Sequence, residues 1–191
     1  MENVVLKTRS LRMDDEEFFN FCVENRDLKI ERNNKGEIII MSPTGLQSGN
    51  RGSELNAQVH NWNKKAKSGL VFDSSTGFTL PNSAVRSPDV AWVSPERLAV
   101  ISSEQMKKFA PVCPDFVIEL KSETDNLGTL KKKMREWIQN GCRLAWLVDA
   151  DAQTVYIYRE DGSQRKLQGF DQFLSGEGVL PGLELDLKEL K

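Results

Sequence analysis

The chain has 191 residues, 39% of them apolar and 28% charged, with a formal net charge of -2. These figures fit one globular domain with a real core, residues 1–191, and exclude both a disordered chain and a broadly basic nucleic-acid coat protein. A local basic patch inside a cleft stays compatible with them. Three widely spaced cysteines (Cys22, Cys113, Cys142) form no CxxC pair, and His60 is the single histidine. That excludes a disulfide framework, the usual zinc spacings and any multi-histidine metal site.

The amino-terminal MENVVLKTRS lacks the apolar core of a signal peptide, and no apolar run approaches ~18 residues. A soluble cytoplasmic protein with no membrane segment is the expectation. A first helix is predicted over 14–27, opened by Asp14 and Asp15, with Phe18, Phe19, Cys22 and Val23 as its apolar stripe. Strands at 28–31 and 37–41 then flank Asn33-Asn34-Lys35-Gly36, a hairpin turn, and Ser42-Pro43-Thr44-Gly45 breaks the second strand. A second helix is predicted over 48–67. Leu55, Val59, Trp62 and Ala66 share one face of it, and Glu54, Gln58 and Asn61 form a polar line beside them. Such a line either looks into a cleft or is a solvated flank; His60 lies off both and reads as a surface residue.

Extended segments follow at 70–72, 78–80 and 86–93, the last opening on Ser87-Pro88-Asp89. A short helix is predicted near 103–109, a strand over 115–121 and a helix over 127–140, with Leu130, Met134, Trp137 and Ile138 buried and Gly141 stopping it. Strands at 144–148, 154–158, 164–167 and 183–187 complete one α/β (α+β) domain with a mixed sheet. The four tryptophans fall on apolar faces and read as core. The run Lys131-Lys132-Lys133 with Arg135 reads as a solvated helix face, with contact to a phosphate backbone as the alternative.

The strand Asp115–Lys121 carries the chemistry. Its apolar run ends in Glu119-Leu120-Lys121, and alternation puts Glu119 and Lys121 on one face with Leu120 on the other. Ionised groups at the end of a buried strand mark either a polar site or a strand leaving the core. A divalent cation needs a second carboxylate. Asp115 stands roughly 13 Å from Glu119 along the strand, too far, whereas Asp89 opens a different strand, and neighbouring strands lie only about 5 Å apart. Asp89, Glu119 and the Leu120 carbonyl form an oxygen-only set suited to Mg²⁺ or Mn²⁺. Lys121 would orient or help deprotonate a bound water, or support developing negative charge. Phosphodiester hydrolysis is the reaction these parts serve best.

Pro88-Asp89 followed by Glu119-Leu120-Lys121 resembles the PD-(D/E)xK nuclease superfamily. The wider set is more specific: SPTG at 42–45, VRSPDVAWV at 85–93, PDFVIELKSETD at 114–125, WIQNG at 137–141 and LAWLVD at 144–149 resemble the Uma-two family of restriction-endonuclease-like bacterial proteins over nearly the whole chain. The resemblance implies a restriction-endonuclease-like core, a mixed central sheet flanked by helices. It also implies that Asp89 and Glu119 hold the metal and that Lys121 completes the centre. Many superfamily members add a glutamate from an early helix, where Glu54 stands here, with Gln58 one turn later. Many family members also carry a histidine just after the SPTG turn, and this chain has Leu46-Gln47-Ser48-Gly49-Asn50 instead. The expected function is therefore a metal-dependent DNA endonuclease; a homodimer would suit cutting of both strands. The alternatives are a non-cleaving nuclease-fold module that binds nucleic acid or a protein, and a hydrolase of small phosphorylated compounds.

Overall fold

The structure is a computed structural model and describes residues 4–7 and 13–191. Part of the amino-terminal stretch read for a leader thus lies outside the described residues. Two sheets meet at the site. The larger has six strands in the order β11-β10-β9-β8-β7-β4: Gln164–Gln168, Thr154–Arg159, Leu144–Asp149, Phe116–Leu120, Val90–Val93 and Leu70–Asp73. Its mixed character comes from one parallel pair, β8 with β9. The smaller is antiparallel, β1-β3-β2-β6-β5: Val4–Leu6, Ile38–Met41, Lys29–Arg32, Val85–Arg86 and Phe78–Thr79. A ribbon of β12 (Phe173–Ser175) and β13 (Glu184–Asp186) closes the carboxyl end. The single mixed sheet expected from the sequence is joined by this second sheet.

Strands β8 and β9 are buried at every position, which is why they read as continuous apolar runs. On one face lie Leu55 and Val59 of α2 (Leu46–Ala66), packed with Val90, Trp92, Phe116, Ile118, Trp146 and the carboxyl-terminal leucines. The other face packs Ala91, Val93, Val117, Ala145 and Leu147 against Met134 and Trp137 of α4 (Leu127–Gln139). Trp92, Trp137 and Trp146 are core residues as expected, and Trp62 packs at the margin with its indole N–H donating to the Pro181 carbonyl. All three cysteines are free. No helix of the described residues is long and apolar enough to cross a membrane.

The first helix, α1 (Asp15–Glu24), ends before the predicted residue 27. Asp14 is its cap, in a reciprocal capping box with Glu17. Several short elements escaped the sequence: β1, α3 (Pro95–Leu98), capped by Ser94, β12 and the closing 3-10 turn Leu187–Leu190. The helix predicted near 103–109 reduces to one 3-10 turn, Gln105–Lys107. The strand predicted over 86–93 is in fact two. Arg86 ends a strand of the small sheet, Val90 begins one of the large sheet, and Ser87-Pro88-Asp89 crosses between them. This crossing places Asp89 at the junction.

At the α2–β4 corner, Asn63 accepts from the Trp92 indole N–H and donates to the Gly69 carbonyl. Gly69 has φ +154°, and a Cβ there would collide with the Val93 carbonyl oxygen and lie 2.8 Å from Trp92 Nε1. Neither neighbour can retreat from a buried strand. Gly69→Ala is expected to cost roughly 2–3 kcal/mol in chemical denaturation, with unchanged stability as the contrary result.

Candidate active site

Strand β2 presents Lys29 and Glu31 on alternate positions, so both side chains leave one face. Extending the Val90–Ile118 pairing by one residue sets Asp89 directly across from Glu119. Asp89 Oδ2 accepts the Leu120 backbone N–H at 2.8 Å, and Lys29 Nζ lies 3.8 Å from Asp89 Oδ1. Glu119 shares the α4-facing side with Val117. Its Oε1 accepts the Trp137 indole N–H at 2.9 Å, and Lys133 Nζ stands 2.9 Å from the same oxygen.

Lys133 Nζ also lies 2.9 Å from Glu31 Oε1, so a single ammonium joins carboxylates contributed by the two sheets. Glu31 is 2% exposed and has further donors: the Arg86 guanidinium at 2.9 Å and the Ser87 backbone N–H at 3.0 Å. Arg86 continues the network to Glu136 of α4. The Ser87–Asp89 crossing is thereby tied to β2 and α4, and the position of Asp89 with it.

The charges in this cluster are unequal. Burial pushes the Glu119 carboxyl up, the neighbouring Asp89 and Glu31 charges add to this, and Lys133 only partly opposes them, leaving it at about 7. Burial also works against ionisation of Glu31, but Lys133, Arg86 and the hydrogen bonds outweigh it and hold Glu31 down at about 2. Lys133 is raised: burial disfavours its charge, and Glu119 and Glu31 more than restore it. Glu119 is therefore the acid with the least compensated charge, and a further cation would relieve it.

These groups open on a cleft of about 1910 Å³, bordered by Asp89, Glu119 and Lys133 and, across it, by Ser53, Asn56 and His60 of α2. Acidic side chains outnumber basic ones in its lining. The structure brings together Asp89 and Glu119 of the expected set but neither Glu54 nor Lys121, which do not line the cleft. Helix α2 covers the opposite face of the sheet from Glu119. One turn from Glu54, the Gln58 amide pairs with the Asp186 backbone at 2.7 and 3.1 Å, away from the cleft. Lys121 shares the Glu119 side by alternation, yet its ammonium turns to the Ser122 carbonyl at 3.3 Å and to Asp149 at 3.9 Å. Leu120 packs its side chain in the α2-facing core.

Nothing in the sequence singles out Glu31 or Arg86, and Lys133 stands out there only as part of a basic run. The sequence presents the Lys131–Lys133 run as a solvated face, with phosphate contact as the alternative, and the structure divides it: Lys131 lies over the Tyr156 ring at 4.0 Å, Lys132 is exposed at the cleft and Lys133 is partly buried in the network. A signal was present. Lys133 falls three residues after Leu130 and four before Trp137, on the buried stripe itself.

Among the described residues no group of three or more His, Cys, Asp or Glu side chains converges to hold a metal ion. Two carboxylates with backbone oxygen and water are nonetheless within the habit of Mg²⁺, which commonly takes one or two carboxylates and keeps several waters. The oxygen-only donors and the crowded negative charge at Glu119 fit such a cation.

A crystal structure described as a "putative nuclease belonging to DUF820" from Anabaena variabilis ATCC 29413 superposes with a TM-score of 0.72 at 19% identity, covering 93% of this chain and 97% of that one. At that identity the likeness speaks for the fold. No curated protein matches the chain. The model of the Uma2 family, described as "Putative restriction endonuclease", matches residues 15–188. The chain belongs to the Uma2 family, with a restriction-endonuclease-like fold.

Proposed function

We propose that this protein is a metal-dependent endonuclease that hydrolyses DNA phosphodiester bonds, with Asp89, Glu119 and the Leu120 carbonyl holding Mg²⁺ or Mn²⁺. The observation that carries the reading is that Asp89, whose carboxylate accepts the Leu120 N–H, and Glu119, the residue before Leu120, both line one cleft. The acid excess of the lining also supports it, because a phosphodiester backbone would be repelled there without a bridging cation. When bound, the cation would offset phosphoryl charge and acidify a water ligand.

The residues of the chain do the rest. The Leu120 N–H fixes the Asp89 carboxylate, and the Trp137 indole N–H fixes that of Glu119, so both are held before substrate arrives. In the reaction, the water oxygen bonds to phosphorus as the P–O bond to the leaving sugar oxygen breaks. One water proton ends on that oxygen and the other leaves with the phosphate monoester. Cutting both strands of a duplex would call for two such centres related by a two-fold axis.

Supercoiled plasmid incubated with the protein and Mg²⁺ or Mn²⁺ tests the reading. Wild-type protein is expected to nick it, and Asp89→Ala is expected to lose the activity. Equal nicking by both proteins would assign the cleavage to a contaminant.

A further inference from the structure

We propose that Lys133 of α4, and not Lys121 of the Glu-x-Lys strand, supplies the amine of this centre by donating to a non-bridging phosphate oxygen of the bound strand. The assignment rests on the nuclease reading and deepens it.

The geometry separates the two lysines. Lys133 Nζ lies 2.9 Å from Glu119 Oε1, its side chain is 14% exposed, and it borders the cleft. Lys121 follows β8 at its carboxyl end and does not line the cleft; its ammonium turns back to the Ser122 carbonyl and toward Asp149, which also lies outside the lining. An ammonium has three N–H donors. Glu119 and Glu31 take two from Lys133, leaving one for a group in the cleft. The two acids also remove most of the rotameric freedom of a long side chain, so its charge is in place before substrate arrives, as stabilisation of a developing oxyanion requires. In this arrangement Lys133 remains an ammonium throughout and moves no proton. Glu31 acts through Lys133 and is a positioning residue. A purely structural Lys133 would neutralise the same acids without touching substrate, and that is what the experiment must separate.

Single-turnover plasmid cleavage in Mn²⁺ by wild type, Lys121→Ala and Lys133→Ala, with melting curves alongside, gives the first readout. Lys133→Ala is expected to lose at least about a hundredfold in rate, and added methylammonium is expected to restore activity to it and not to change Lys121→Ala, which stays near wild type. The reverse pattern, with Lys121→Ala inactive and Lys133→Ala active, overturns the assignment. The second readout needs neither cleavage nor the variant's folding. With Ca²⁺ supplied as the bridging cation, a short DNA duplex added to the wild-type protein is expected to shift the NMR signal of the Lys133 ammonium and leave that of Lys121 in place. An unmoved Lys133 signal overturns the assignment. Wild-type protein that never cuts would sink the nuclease reading instead, and the duplex-induced shift would still decide whether Lys133 meets phosphate.

Discussion

Glu119→Gln is expected to abolish plasmid cleavage, by at least about a hundredfold, while leaving the melting temperature within about 3 °C of wild type. The two halves of this prediction have one cause. Glu119 carries a buried charge that Asp89 and Glu31 crowd and that Lys133 only partly compensates, so its carboxyl sits at about 7. A neutral amide of the same shape escapes that penalty. Its oxygen still accepts the Trp137 indole N–H that now reaches Glu119 at 2.9 Å. The lost salt bridge to Lys133 works in the other direction, and Glu31 retains the ammonium. A cation site loses half its carboxylate charge in the same exchange. Cleavage and thermal unfolding measured on one preparation decide the matter: a variant that cuts normally removes Glu119 from the centre, and one that unfolds makes it a structural acid.

Glu31→Ala is expected to behave in the opposite way, with its main effect on stability. It strands Lys133, Arg86 and the Ser87 N–H, all arranged around one buried carboxylate. Removing one member of a buried ion-pair network typically costs about 3–5 kcal/mol, which for a domain of this size lowers the melting temperature by roughly 10 °C. The pH dependence follows from the same contacts. Glu31 falls from an ordinary 4.5 to about 2 in the folded protein. Its contribution, about 3 kcal/mol, is fully present above pH 4.5 and is lost as the pH falls through 2. Glu119 has the opposite sign. Between 4.5 and about 7 the folded protein keeps a proton that the unfolded chain has released, so this group weakens the fold as pH rises through that window. Urea denaturation across the range should show Glu31→Gln flattening the acid limb and Glu119→Gln flattening the limb between 4.5 and 7. Unchanged limbs would mean that these carboxyls titrate as ordinary surface groups.

Much of the fold and half of the centre were legible in the chain because they rest on local pattern. Continuous apolar runs marked β8 and β9, a 3.6-residue stripe marked α4, and Pro88-Asp89 with Glu119-Leu120 marked two strand ends that belong near one another. What tertiary structure decided is which charged groups meet. Glu31 and Lys133 are 102 residues apart in the chain, on a strand of one sheet and a helix over the other, and no periodicity within either segment reports the partner. Lys121 and Glu54 show the converse. Their sequence positions satisfy the motif, but packing turns one ammonium toward Asp149 and carries the other residue's helix to the far face of the sheet. Side-chain alternation is a property of the strand and can be read from sequence. The direction in which a long side chain leaves the strand end depends on which opposite charge lies within reach, and only the assembled sheets determine that.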